Sequence, residues 1–170
     1  LTGGTLHPVS GPPIENGVLL MVEGRIAAVG RKVALPEGTR VIDVTGKHVY
    51  PALFDAHTQT GLVEIDAVRA TRDMQEVGSL NPNVMAHVAV NPDSELIPVT
   101  RANGVLLNLT APVGGLISGQ SAVMQLDGWT YEDMTLQPRA AMQLDWPRMS
   151  SVRPWWDDEA EGGEDLEKQR

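Results

Sequence analysis

The stretch Pro51–Gly61, PALFDAHTQTG, decides how this chain is read. Leu53–Ala56 is a short apolar strand that ends in polar residues, and the sequence changes character on either side of it. Taken by themselves, Asp55 is a residue able to cap a turn, and His57 is a polar side chain at a strand end, hydrogen-bonded to its neighbours.

Upstream, Leu1–Tyr50 reads as short strands joined by tight turns. Val18–Val22 and Arg25–Val29 are apolar runs separated by Glu23-Gly24, a two-residue connection that signals a hairpin because glycine accepts the positive φ of the turn. Asn16-Gly17, Glu37-Gly38 and Thr45-Gly46 punctuate the segment in the same way. Val41–Val44 and Lys47–Tyr50 are further strand candidates.

Downstream, Glu64–Arg72 has room for one or two helical turns, and Val84–Val90 fits helix or strand. Asp93 or Ser94 caps a helix running to Asn103, with Pro98 near its first turn and Gly104 just past its end. Val105–Leu109 is then a strand, and a glycine-rich loop, Ala111–Gly119, leads to another at Ala122–Leu126. Strand, helix and strand in succession predict parallel α/β packing. Asp127–Trp156 shows little periodicity, and Glu164–Arg170 reads as the start of a charged helix that is cut off.

The net charge is −9, and the last fourteen residues hold seven acids against two bases. No basic run is present, which argues against nucleic acid as a partner. No apolar stretch approaches the roughly 18 residues of a membrane span, and no charged-then-apolar leader is present. The composition is that of a soluble globular protein and leaves the compartment open. With no cysteine in the chain, disulfides, thiolate metal sites and cysteine nucleophiles are excluded.

Three stretches taken together resemble one family. They are Asn16–Gly30 (NGVLLMVEGRIAAVG), Val41–Gly61 (VIDVTGKHVYPALFDAHTQTG) and Gly104–Leu126 with its GGLISGQSAVMQL core. In order and spacing they are similar to the N-terminal portion of the amidohydrolase superfamily, the imidazolonepropionase- and dihydroorotase-like metal-dependent hydrolases. The resemblance implies a mixed α/β fold: a small β-sandwich domain followed by an incomplete (β/α)8 TIM-type barrel. It divides the chain into a sandwich-like domain over 1–50, the first part of the barrel over 51–156, and an acidic tail, truncated helix or disordered, over 157–170.

The resemblance also implies a site. The family enters its barrel through a motif in which two histidines, two residues apart at a strand's carboxyl end, face one metal. Neutral imidazole suits Zn²⁺ and related ions, and the ion lowers the pKa of a bound water to roughly 7. Pro51-Ala52 stands where the family has Pro-Gly. Asp55 and His57 match its aspartate and first histidine, and Gln59 replaces the second. His57 is thus the implied metal ligand and Asp55 the partner that orients it, a divalent metal such as Zn²⁺ the implied cofactor, while the catalytic residues stay unassigned.

The remaining histidines, His7, His48 and His87, are scattered without ligand spacing and read as surface or structural residues. Gly114–Ser121, GGLISGQS, has phosphate-loop spacing with Gln120 in place of the lysine, so it reads as a tight loop bordering a pocket. Arg69, Arg72, Asp73 and Glu76 either hold a substrate carboxylate or pair with one another on the surface. Asn108-Leu109-Thr110 is a formal glycosylation sequon in an apolar strand. Trp155-Trp156 packs against the body or marks a partner surface.

Two functions stay open. One is an amidohydrolase-type hydrolase, fragment or subunit, cleaving a non-peptide C–N bond of a cyclic or N-substituted amide with metal-activated water, the chain alone being inactive. The other is a non-catalytic relative that keeps the scaffold and has lost the metal site. The expected partners are a small-molecule amide substrate, and a homo-oligomer or a second chain covering the open barrel.

Overall fold

A computed structural model describes residues 1–147. The expectations for Trp155-Trp156, for the acidic tail over 157–170 and for a charged helix at its end lie outside the described residues.

Among the described residues, eight strands form two sheets of four. The first holds β1 (Thr2–Leu6), β2 (Ile14–Val22), β3 (Arg25–Gly30) and β4 (His48–Val49), in the order β3-β2-β1-β4. The Glu23-Gly24 hairpin forms as the sequence predicts. Both residues take positive φ, 50° and 73°, the pair of values a turn needs to match the right-handed twist of its strands. Val22 then pairs with Arg25 and Val18 with Gly30. β4 joins β1 in parallel, with Thr5 opposite His48 and Leu6 opposite Val49. Leu6, 3% exposed, is the large apolar side chain this sheet buries.

The second sheet holds β5 (Leu53–Thr58), β6 (Val105–Thr110), β7 (Ile117–Gln125) and β8 (Thr135–Leu144), in that order. Two short α-helices accompany it, α1 (Leu96–Ala102) before β6 and α2 (Tyr131–Met134) before β8. Ser94 Oγ accepts from the Leu96 N–H at the start of α1, at 3.3 Å. Pro98 is the third residue of α1, where a missing N–H goes unnoticed. The core lies on β7 and its cover. Ala122, Met124 and Leu126 pack against Leu62, Ala86 and Val90 from the long β5–β6 connection, Ile97 of α1 and Met134 of α2.

This architecture overturns the expected β-sandwich followed by a (β/α)8 barrel. The first four strands make one sheet among the described residues, not two facing ones. In the second sheet only β5 and β6 run parallel. The β6–β7 and β7–β8 pairs are antiparallel, and the α-helices among the described residues are two short ones. The cause is local. A parallel crossover needs a dozen or more residues, and the chain from Thr110 to Ile117 is too short for one. Gly114 and Gly115, at φ 94° and 73°, turn it straight back beside β6.

Smaller expectations also change. Val41–Val44 supplies only an isolated bridge, Asp43 to Thr2. Glu64–Arg72 shortens to a 3₁₀ turn at Arg69–Thr71, and Val84–Val90 to another at Ala86–Ala89. β8, ten residues long, stands where no element was expected.

Candidate functional site

The carboxyl ends of the parallel pair β5 and β6 open on a layer of loops, the place where open sheets bind ligands. Asp55 lies opposite Asn108 and Thr58 opposite Thr110, with an irregularity in between where His57 sits. His57 is exposed and Asp55 half-buried. One Asp55 carboxylate oxygen accepts from the backbone N–H of His57 at 3.3 Å. Thr58 Oγ1 accepts from the Thr60 N–H at 3.2 Å and lies 2.9 Å from Thr60 Oγ1. The Gln59 carbonyl accepts from the Leu62 N–H at 2.8 Å. The strand therefore ends in a series of tight turns closed by its own polar side chains.

On β6, Asn108 and Thr110 are 1% and 0% exposed. Thr110 Oγ1 donates to Asn108 Oδ1 at 3.2 Å, while Asn108 Nδ2 is a buried donor with no partner among the described residues. Full burial of Asn108 leaves the formal glycosylation sequon without an accessible acceptor.

The loops carry a cleft of about 390 Å³ lined by Arg69, Arg72, Met74, Gln75, Glu76, Val77 and Gly78. It rests on the β6–β7 turn, where the Val113 N–H donates to the Met74 carbonyl at 2.8 Å. Arg72 Nε stands 3.5 Å from an oxygen of Asp66, both side chains exposed. His57 is not among the residues that line this cleft. Gly119 and Gln120 fall inside β7. Gln120 Nε2 donates to the Pro82 carbonyl at 2.8 Å, so GGLISGQS is strand and turn rather than a phosphate cradle.

A divalent metal would meet a poor donor set at the end of β5. His57 offers one exposed imidazole, Gln59 an amide, and Asp55 a carboxylate already engaged with backbone. Among the described residues no group of three or more His, Cys, Asp or Glu side chains gathers to hold an ion. These residues do not fit a metal by themselves.

Two histidine clusters escape a reading along the sequence. His87 packs near Tyr131, ring centres 6.0 Å apart, with its Nδ1 buried and unpartnered among the described residues. Burial first, and the charge of Arg139 second, hold its pKa below the usual imidazole value, while Glu132 pulls the other way. A hydrogen bond between Tyr131 and Glu132 pushes the phenol up. The Glu132 carboxyl is held down, first by its own backbone N–H and then by that phenol. His7 and His48, 41 positions apart, meet with Nε2 and Nδ1 at 2.9 Å. The His7 ring stacks on Tyr50 at 4.2 Å and 10°. Only the parallel pairing of β1 with β4 brings these three residues together.

The two sheets and their loop layer define a fold already seen in a hydrolase. The crystal structure of an amidohydrolase from Thermotoga maritima MSB8 matches with a TM-score of 0.78 and 24% identity, over 86% of this chain and 38% of that one. At that identity the likeness shows a shared fold, and the chain spans 38% of that amidohydrolase's length. No protein-family profile matches the chain, and no curated protein matches it in sequence. No helix among the described residues is long and apolar enough to cross a membrane.

Proposed function

We propose that this chain is the scaffold portion of an amidohydrolase-type hydrolase of the imidazolonepropionase- and dihydroorotase-like kind. Its reaction is hydrolysis of a C–N bond in a cyclic or N-substituted amide. The observation that carries this reading is the fold shared with an amidohydrolase over 86% of the chain, together with Asp55 and His57 at the carboxyl end of β5. Residues 1–50 then form one domain, built on the first sheet, and the second sheet begins the domain over 51–156.

The chain's own part in that chemistry is limited. His57 presents one imidazole at the strand end, and Asp55 holds the backbone of His57 in place through its 3.3 Å bond. With Gln59 in place of a second imidazole, the metal that the resemblance implies is not held by these residues alone. A second reading, a non-catalytic relative that keeps the scaffold, is favoured by that same Gln59.

The two readings separate in a metal-retention experiment. Wild-type chain, Gln59→His, and Gln59→His combined with His57→Ala are dialysed against Zn²⁺ in a His7→Phe background, and bound metal is then measured. A gain of Zn²⁺ in Gln59→His that His57→Ala abolishes supports a strand end built for a hydrolase metal. Equal retention by all three leaves the non-catalytic scaffold as the reading.

A further inference from the structure

We propose that His7 and His48 form a two-imidazole site for a divalent transition metal that prefers right-angle coordination, Cu²⁺ first, on the β1–β4 edge of the first sheet. This site is separate from the end of β5 and does not rest on the hydrolase reading.

The placement follows from the register. Thr5 lies opposite His48 in the parallel pair, and side chains on a strand alternate between faces. His7, two residues past Thr5, therefore shares its face with His48 and Tyr50. The His7 N–H donates to the Val49 carbonyl at 2.9 Å, which ties down the backbone that carries its ring. Tyr50 stacks on the ring at 4.2 Å, nearly parallel.

The decisive quantity is the 2.9 Å between His7 Nε2 and His48 Nδ1. In the metal-free protein one nitrogen carries a proton and donates it to the lone pair of the other. Metal–nitrogen bonds of ~2.0–2.1 Å meeting at a right angle also hold two nitrogens about 2.9 Å apart. A tetrahedral ion such as Zn²⁺ would hold them roughly 0.4 Å further apart. An ion can therefore take the place of the bridging proton with the nitrogen separation unchanged, as the rings turn to aim both lone pairs at one point. His48 and Tyr50 are exposed and His7 half-buried, so water reaches the site to complete the coordination. The bridging proton leaves to solvent on binding. Imidazole nitrogens suit Cu²⁺ and Ni²⁺, and Cu²⁺ binds tightest among the divalent ions of its row.

The test uses the whole chain and CuSO₄. The histidine ring protons are followed by NMR while substoichiometric Cu²⁺ is added to wild-type protein. The signals of His7 and His48 should broaden together, ahead of His57 and His87, and the electron paramagnetic spectrum should show two coordinated nitrogens. His7→Phe keeps a ring stacked on Tyr50 but removes the donor, and His48→Gln removes the other. Each should weaken binding on the order of a hundredfold, the advantage that a second pre-placed donor brings. Broadening confined to His57, His87 or the amino terminus, or wild-type affinity in both variants, would overturn the proposal. The wild-type broadening pattern decides the matter even where a variant folds poorly.

Discussion

Replacing Gly115 with alanine tests the turn that sends β7 back beside β6. Gly115 has φ 73°, a left-handed conformation that costs an L-residue ~1–2 kcal/mol. A Cβ there would lie 2.8 Å from Ser79 Cα, 2.9 Å from the Ser79 carbonyl oxygen and 3.0 Å from that of Gly78. These are backbone atoms and cannot rotate away. They are also fastened, because the N–H groups of Leu116 and Ile117 both donate to the Ser79 carbonyl, at 2.8 and 3.0 Å. Overpacking against a fixed wall adds ~1–3 kcal/mol, so Gly115→Ala should cost about 2–5 kcal/mol in total. Gly46 provides the control. Its φ is 75°, yet nothing lies within 4 Å of an added Cβ, so Gly46→Ala should cost only the conformational part, ~1–2 kcal/mol. Urea unfolding at constant m-value reads the difference. Equal losses in the two variants would show that the 78–79 backbone yields, and would refute the claim that this contact pins the turn.

Three further outcomes are expected. Met124, wholly buried between the sheet and its cover, should lose about 2–5 kcal/mol on truncation to alanine, measured by the same unfolding curves. Thr130→Ala removes the hydroxyl that accepts the Asp133 N–H at 3.2 Å at the start of α2 and should cost about 1 kcal/mol, whereas an unchanged midpoint would show the cap to be idle. His87 has a folded pKa below its ordinary 6.5, so the unfolded chain takes up its proton more readily. Its contribution to stability is therefore complete above that ordinary value and is lost as pH falls from there through the lowered folded value. Wild-type protein should accordingly lose more stability than His87→Gln on acidification, and Arg139→Gln should raise the His87 pKa in an NMR titration. A pH response shared by wild type and His87→Gln would contradict the burial argument.

The parts of the fold that were legible in the sequence are those whose signal is local. Glu23-Gly24 carries its turn geometry in two residues, and Ser94, Pro98 and Gly104 mark the limits of α1 by chemistry that each contains. The parallel partnership of β5 and β6 was also legible, as a strand, a helix and a strand in succession. What failed was the extension of that pattern. The loop Ala111–Gly119 was read by its glycines alone; β7 begins at Ile117, and the shortness of the connection left, which forbids a crossover, decides the direction of β7. β8 escaped because seven of its ten positions are exposed, and an edge strand held by backbone pairing to β7 needs no apolar rhythm. Pro138 is tolerated there for the same reason. At the end of β5, Asp55, His57 and Gln59 were singled out by the family resemblance and not by anything their own spacing contains. The meeting of His7 with His48 was not legible, because it depends on a pairing register that no short window of sequence contains.

The pairing of β1 with β4 has a consequence for the order in which the first sheet assembles. β2 and β3 are joined by a two-residue turn, so their contacts close a minimal loop and form early. β1 joins β2 over a short connection, Leu6 opposite Ile14, but its other edge must wait for a strand 43 positions away, Thr5 for His48, and the entropy of closing that loop is spent before that edge is rewarded. β4 offers only two residues in return. The edge that carries the paired imidazoles is therefore the last part of the sheet to lock and the first to open. Anything that bridges His7 and His48 would act as a clasp on the slowest step of the sheet's folding.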